Sequence, residues 1–184
     1  MEKKSTIRNI LSVLLLVFLT PSCSSDLDFN QSEDLLLTPV IVANLTNFDV
    51  PAPDFVEGGV ETTVAFEVEN FDVFRDTFFR DNLQQADFLF VITNTIDRDY
   101  VIELILYDIF NNVVDSIVFN IPASAGTPQV ITEKKTYQNA SLDQLKRTDK
   151  MGFRITMLPG TPLTESSAGS LKLKSSATVY MEIE

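Results

Sequence analysis

The sequence predicts an all-β fold, an antiparallel two-sheet sandwich that is immunoglobulin-like in the generic sense. Two observations support this prediction. Apolar and polar residues alternate along about eight segments spaced by roughly 10–15 residues, and only one or two short segments have helical spacing. No linker divides residues 35–184, so we expect a single domain there, large enough to bury a core without disulfides.

Each predicted strand is an alternating or an apolar segment. In the last strand, Lys172 and Lys174 fall on the face opposite to Leu171 and Leu173. In the first strand, Pro39 indicates either a position at a sheet edge or a break between two shorter strands. In chain order, the predicted strands cover residues 35–50, 60–69, 86–92, 101–107, 113–121, 129–137, 151–157 and 171–183.

Turn and helix signals connect these strands. Asn111 and Asn112 can take the left-handed geometry of a hairpin turn between the fourth and fifth strands. Ser141 is the predicted N-cap of a helix of one or two turns. Residues 70–85 have the spacing of a short amphipathic helix. Its aromatic residues either cover the core or form a docking cluster: Phe71, Phe74, Phe78 and Phe79.

The composition excludes several kinds of chemistry. With no His, no Trp and one Cys in 184 residues, the chain lacks a His-dependent nucleophile, a Cys/His zinc site and an internal disulfide. Its six Gly form no phosphate-binding loop. Asp97 and Asp99 flank Arg98 in a predicted turn and would repel each other in an apolar pocket. We therefore expect a protein that is not an enzyme and has no cofactor or metal site.

The charge of the chain is acidic and uneven. Fourteen Lys and Arg against 26 Asp and Glu give a net charge of −12, which argues against binding to nucleic acid. Residues 23–120 hold 19 acidic and 3 basic side chains, whereas residues 121–184 hold 6 and 8. An acidic face of this kind either keeps the protein soluble or attracts cationic partners.

The N-terminus has the parts of a secretory signal. Lys3, Lys4 and Arg8 precede an apolar run at residues 10–19 that is too short to span a bilayer, and Cys23 follows closely. The sequence Thr-Pro-Ser-Cys resembles the lipobox of bacterial lipoproteins, with the usual leucine displaced by one position. The resemblance implies that residues 1–22 are a signal peptide and that acylated Cys23 holds the protein to a lipid bilayer. An ordinary secretory peptide with an incidental cysteine is the alternative.

A polar and acidic segment, residues 23–34, is predicted to be a flexible tether. It resembles the acidic export signal of Bacteroidota surface lipoproteins through Ser24, Ser25, Asp26, Leu27 and Asp28. The resemblance implies a lipid-anchored outer-membrane protein at the cell surface, with the periplasmic face as the alternative. The spacing of the acidic residues also imitates the start of an EF-hand loop, but Gln31 replaces the required glycine, so calcium binding of that type is rejected.

Three further features of the predicted strands suggest functions. Ser116, in Asp115-Ser116-Ile117, resembles the acceptor of Bacteroidota periplasmic O-glycosylation, with a plain strand residue as the alternative. Lys172 and Lys174 either guard an exposed sheet edge or contact lipid phosphates or an acidic partner. Four tyrosines could stack on a sugar: Tyr100, Tyr107, Tyr137 and Tyr180.

These observations together predict a non-enzymatic protein that resembles the small outer-membrane lipoproteins of Bacteroidota. We expect it to act as an accessory or scaffolding subunit through contacts with an outer-membrane protein. One alternative is a surface glycan-binding or adhesin-like module. Another is a lipid carrier, which requires an apolar cavity inside the β domain.

Overall fold

Ten strands and three short helices follow one another in the computed structural model, which describes residues 36–68 and 76–184. The strands are β1 (Val40–Pro51), β2 (Val56–Glu57), β3 (Val60–Glu61), β4 (Val64–Val68), β5 (Leu83–Asn94), β6 (Tyr100–Tyr107), β7 (Val113–Ile121), β8 (Gln129–Tyr137), β9 (Lys150–Met157) and β10 (Ser170–Met181). The helices are a 3-10 helix (Ala52–Phe55), α1 (Thr77–Asn82) and α2 (Ala140–Leu145).

Eight of the described strands form two four-stranded antiparallel sheets. The first sheet has the order β1-β10-β5-β8 and the second has the order β4-β9-β6-β7. Apart from the hairpin β6-β7, successive strands of these eight lie in different sheets, which is the connectivity of a jelly roll. The predicted antiparallel two-sheet sandwich is therefore confirmed, and the two remaining strands, β2 and β3, pair with each other.

The core lies between the two sheets and is formed by their inward-facing side chains. The ring centroids of Phe48 on β1 and Phe66 on β4 are 5.2 Å apart, and those of Phe90 on β5 and Phe119 on β7 are 5.0 Å apart. These contacts place β1 over β4 and β5 over β7. The alternation predicted for β5 is confirmed, because the following inward residues are at most 2% exposed: Ala86, Phe88, Phe90 and Ile92.

The first predicted strand is continuous in the structure. β1 begins directly after Pro39 and lies at the edge of the first sheet, which confirms the edge position that the proline indicated. A bulge between Asn44 and Asn47 shifts the register of β1 against β10 and replaces the predicted break. After the bulge the hydrophobic residues of β1 are directed at the core, since Phe48 pairs with Leu173 and Val50 with Leu171 of β10.

The prediction of one strand over residues 60–69 was wrong in its first half. β3 turns back on β2 through Gly58 and Gly59, whose φ angles are +58° and +81°. A new strand, β4, starts at Val64 and pairs with β9 instead. Alternation of apolar and polar residues does not reveal this change, because the same two-residue period continues through both strands.

The prediction of Ser141 as an N-cap was also wrong. The N-cap of α2 is Asn139, which has a φ of +51° and makes no capping hydrogen bond with its side chain. The hydroxyl of Ser141 donates to the carbonyl of Gln138 at 2.8 Å. The left-handed backbone of Asn139 turns the chain directly after β8, so the helix starts two residues earlier than expected. The predicted left-handed asparagine in the hairpin turn is confirmed at Asn111, with a φ of +63°.

The amphipathic helix predicted within residues 70–85 is present as the shorter α1. Its N-cap is Asp76, whose carboxylate accepts a hydrogen bond from the backbone N–H of Phe79 at 3.2 Å. Phe79 packs against the core, whereas the side chain of Phe78 is 57% exposed. The other members of the predicted aromatic cluster, Phe71 and Phe74, lie outside the described residues.

Candidate functional site on the first sheet

The outward side of the first sheet carries three residues that the sequence singled out, namely Lys172, Lys174 and Tyr180. We call it the first-sheet face. It extends from Val40, Tyr180 and Gln85 at one end to Asp49, Lys172, Thr93 and Val130 at the other. Exposed aliphatic side chains lie among its hydroxyl and amide groups, namely Val40 (56% exposed), Val42 (68%), Leu89 (40%) and Val130 (60%).

A buried carboxylate on β5, that of Asp87, lies near one end of this face. Asp87 is 7% exposed, and its oxygens accept hydrogen bonds from Thr136 at 2.7 Å, Gln85 at 3.2 Å and Tyr180 at 3.3 Å. The ammonium of Lys134 lies 3.0 Å from the same carboxylate. Donors from three neighbouring strands thus converge on one charge, as a buried charge requires.

The ionisation of Asp87 reflects two opposing effects. Burial by itself raises the pKa of the carboxyl group, because it disfavours the charged form. The hydrogen bonds from Thr136, Lys134 and Gln85, together with the charge of Lys134, outweigh burial and hold the pKa of Asp87 below its ordinary value. Asp87 is therefore ionised at neutral pH and unsuited to act as a general acid.

An open cleft of about 400 Å³ lies at the other side of the face, where β1 bulges away from β10. The bulge is fixed from inside by Ser175, whose hydroxyl donates to the carbonyl of Thr46 at 2.7 Å and accepts from its N–H at 3.1 Å. Polar side chains line the cleft on its outer side, namely Asn44, Asn47, Asp49, Lys172 and Lys174. Phe48 and Leu173 also line the cleft, so it offers amide and ammonium donors beside apolar contact area.

The two lysines of the cleft differ in their partners. Lys172 contacts the carboxylate of Asp49 at 2.7 Å, and this hydrogen bond lowers the pKa of Asp49. Lys174 makes no ion pair or hydrogen bond within the part of the chain that the structure describes. The expectation that these lysines guard a sheet edge was wrong, because β10 is a central strand between β1 and β5.

The turn that carries Asp97 and Asp99 serves the fold. Arg98 between them is 5% exposed, and its guanidinium contacts the carboxylate of Glu61 at 3.0 Å and donates to the carbonyl of Leu158. Asp97 and Asp99 are both exposed, and the carboxylate of Asp99 accepts a hydrogen bond from the N–H of Ala123 at 2.6 Å. Arg98 therefore joins the loops at one end of the sandwich, and the two aspartates form no pocket.

The structure separates the two polar residues of the possible glycosylation motif. Ser116 is exposed on β7, an edge strand of the second sheet. The carboxylate of Asp115 points to the other side of the strand, where the hydroxyl of Tyr137 on β8 donates to it at 3.0 Å and Lys135 lies at 3.6 Å. Asp115 thus connects the two sheets, while the hydroxyl of Ser116 is accessible.

The tyrosines considered as sugar platforms are mostly engaged in the fold. Tyr100 and Tyr137 are fully buried. Burial, first of all, raises the pKa of both phenols, and the charge and hydrogen bond of Asp115 add to it at Tyr137. Tyr107 and Tyr180 are half-buried, and the hydroxyl of Tyr180 belongs to the Asp87 network.

Several predicted site residues lie outside the described residues, namely Cys23 and the export-like segment Ser24–Asp28. Within residues 36–68 and 76–184, no group of His, Cys, Asp and Glu side chains is arranged to hold a metal ion. Over the same ranges, no helix has the length and apolarity needed to cross a membrane. Asp87 and the bulge cleft were missed by the sequence analysis, since both depend on which strands pair.

Comparisons with known proteins return solved structures only. No family model and no curated protein matches the chain. The chain is similar to a chain of the T13 particle of infectious bursal disease virus, with 10% identity, a TM-score of 0.43 and coverage of 78% of this chain and 31% of that one. It thus covers less than a third of the length of that viral chain.

Two plant viruses are also among the similar structures. The matches are a chain of Desmodium yellow mottle tymovirus (12% identity, TM-score 0.33, 80% of this chain and 90% of that one) and the coat protein of Tobacco streak virus (10%, 0.33, 78% and 85%). At these scores the likeness carries no argument about function. The class of fold, a jelly-roll sandwich, follows from the strand order itself.

Proposed function

We propose that this chain is a non-enzymatic lipoprotein, anchored in the outer membrane by acylated Cys23, which acts as an accessory subunit by docking an integral outer-membrane protein on its first-sheet face. The observation that carries the docking proposal is the character of that face. It combines exposed aliphatic side chains with an unpartnered Lys174 among the described residues, on a rigid sheet rather than on a loop.

The size of the face is adequate for a partner. Four strands at about 4.8 Å spacing and ten residues at about 3.3 Å rise give a surface of roughly 19 by 33 Å. This area of roughly 600 Å² approaches the ~800 Å² that each partner buries in an interface of standard size. Loops around the rim can supply the difference.

The chemistry of the face favours a protein over a bare lipid surface. Aliphatic side chains scattered among hydroxyls and amides match the mixed composition of non-obligate protein interfaces. In a chain of net charge −12, the ammonium of Lys174 offers a local positive charge for a carboxylate of the partner. The ionised Asp87, which four donors hold in place, fixes the geometry of the strands around it.

A photo-crosslinking experiment tests the proposal. A photoreactive residue at Val42, on the first-sheet face, is expected to crosslink to an integral outer-membrane protein in intact cells. A photoreactive residue at Val118, an aliphatic position on the outward side of the second sheet that is 54% exposed against 68% for Val42, is the matched control. Val42→Glu is expected to weaken the complex by about tenfold, that is by about 1.4 kcal/mol. Equal crosslinking from both positions, or none from Val42, would refute the docking face.

A second candidate function is binding of a glycan in the bulge cleft. The observation that favours it is the set of amide and ammonium donors around an open volume of about 400 Å³. Asn47→Ala should abolish binding on a glycan array, while Val42→Glu should leave that binding intact. The opposite pattern, or no binding by the unaltered chain, would remove this candidate.

A further inference from the structure

The described chain enters the sandwich at the end where β10 finishes. Leu37 and Ile183 exchange two backbone hydrogen bonds of 3.0 and 2.9 Å, and the N–H of Met181 donates to the carbonyl of Pro39 at 3.0 Å. The fourteen residues from Cys23 to Leu36 span at most about 45 Å, even fully extended. The twelve-residue strands of the first sheet are themselves about 40 Å long. A lipid on Cys23 therefore tethers the sandwich through this end, which is closer along the chain to the lipid than the opposite end is.

The hairpin turn between β6 and β7 lies at this same end. Tyr137, the last residue of β8, pairs with Ala86, which in turn pairs with Val179 near the end of β10. The hydroxyl of Tyr137 reaches Asp115, the third residue of β7, at 3.0 Å. The turn that precedes β7 is thus close to the end of β8, on the side of the sandwich where the chain enters.

The tip of this turn is apolar and projects into solvent. The side chain of Phe110 is 80% exposed and that of Ile109 is 69% exposed, more than any other large hydrophobic side chain in the described part of the protein. Val113, at the start of β7, adds a third exposed aliphatic group at 62%. Two adjacent exposed apolar residues at the end of a rigid hairpin suit contact with an apolar phase.

Three backbone N–H groups of the turn have hydrogen-bond acceptors within the turn itself and therefore need none from water. The carboxylate of Asp108 accepts hydrogen bonds from the N–H groups of Phe110 and Asn112, both at 2.8 Å, and from the side-chain amide of Asn112 at 3.0 Å. The N–H of Asn111 donates to the carbonyl of Asp108 at 3.0 Å. Because an unsatisfied N–H is costly in an apolar medium, this arrangement lowers the cost of moving the tip into the interface of a bilayer.

A basic side chain lies within electrostatic range of the turn. Arg147 follows α2 and is exposed, and its charge acts on Asp108. Cations next to an apolar tip lie at the depth of the lipid phosphates when the tip enters the interface, as in other interfacial membrane contacts.

We infer that Ile109 and Phe110 insert into the interface of the bilayer to which the chain is anchored, with Arg147 at the level of the lipid headgroups. This contact orients the sandwich on the membrane and rests on the anchoring proposed above. It leaves the opposite end, where Arg98 joins the loops, directed away from the bilayer.

The chain contains no tryptophan and only one cysteine, so an introduced tryptophan is the sole such fluorophore and Cys23 is the sole coupling site. The chain from Cys23 to Glu184 is coupled through Cys23 to a maleimide lipid in phosphatidylcholine vesicles that contain some phosphatidylglycerol. Phe110→Trp places the only tryptophan at the tip. Val130→Trp, at the far end of the first sheet and 60% exposed, is the matched control. Ile109→Trp serves as a second tip probe, in case the first substitution disturbs the turn.

We expect the emission of Trp at position 110 to shift to the blue on coupling. Lipids brominated near the glycerol should quench it at least about twofold more strongly than Trp at position 130, given a depth of roughly 5–10 Å in the interface. Equal quenching at both positions would overturn the inference. A blue shift that depends on protein density and is not quenched by brominated lipid would indicate contact between two copies, and would overturn it as well.

The failure of this inference and the failure of the proposed anchoring are distinguishable. The coupling in the vesicle experiment is chemical, so it does not depend on acylation in the cell. Acylation is tested separately, by asking whether Cys23→Ala moves the chain from the membrane fraction to the soluble fraction. A tip that is quenched by lipid supports the interfacial contact even if the native thiol carries no lipid.

Discussion

Replacement of Asp87 by asparagine tests the part of the first-sheet face that carries a buried charge. The substitution keeps the shape of the side chain but removes the charge that Thr136, Gln85, Tyr180 and Lys134 contact. Hydrogen bonds to a charged group contribute about 1.5–3 kcal/mol. Since Asp87 is only 7% exposed, we expect Asp87→Asn to lower the free energy of unfolding by that amount at pH 7.

The effect should depend on pH in a defined direction. The folded pKa of Asp87 lies below its unfolded value, so the stability that its charge contributes is fully present above the unfolded pKa, near 3.8. That stability is lost as the pH falls through the folded pKa. The difference between the unaltered chain and Asp87→Asn should therefore be largest above about pH 5 and should shrink in stronger acid.

Urea unfolding at pH 7 and at pH 3 measures both effects. For a domain of this size, the expected loss of unfolding free energy at pH 7 corresponds, in thermal unfolding, to a decrease in Tm of about 3–12 °C. Lys134→Met is the control, because the side chain of Lys134 is 58% exposed and removal of its ammonium should cost no more than about 1 kcal/mol. Asp87→Asn with unchanged stability at pH 7, or with the same loss at both pH values, would refute this account of the network.

Two further predictions concern a buried hydrogen bond and a backbone clash. Tyr137→Phe should destabilise the protein by about 1 kcal/mol, because it removes the hydrogen bond to Asp115 between the sheets. Tyr100→Phe should be neutral or stabilising, because the hydroxyl of Tyr100 is buried with no partner among the described residues. Thermal unfolding of both variants checks this contrast, and equal effects would contradict it. Gly169→Ala should lower the free energy of unfolding by more than the roughly 1–3 kcal/mol of a strained backbone, since φ is +99° there and a Cβ would lie 2.6 Å from the carbonyl oxygen of Thr95. Gly126→Ala, with a φ of +85° and open space around it, should lose only the backbone strain. Similar decreases in Tm for the two variants would argue against the clash.

The parts of the fold that were predictable from the sequence are those set by local periodicity. The alternation in β5, β9 and β10 showed which side chains face the core, and Asn111 marked the hairpin turn correctly. These features depend on one segment at a time. A strand that buries one face must repeat its apolar residues every second position, whatever its neighbours are.

The pairing of distant strands was not predictable in this way. The position of β10 between β1 and β5 changed Lys172 and Lys174 from expected edge residues into residues on a central strand. The same pairing brings Tyr180 to Asp87, and the bulge opposite Ser175 opens the cleft. Each of these depends on residues more than seventy positions apart, and a single sequence contains no local signal for such contacts.

The central claim, that a lipid on Cys23 anchors the protein, is tested most directly by the mass of the mature N-terminal peptide. The chain is purified from bacterial membranes, digested and analysed by mass spectrometry. The account predicts a peptide that begins at Cys23 and carries the added mass of a diacylglycerol on sulfur. A peptide that begins elsewhere, or that begins at Cys23 with a free thiol, would contradict it.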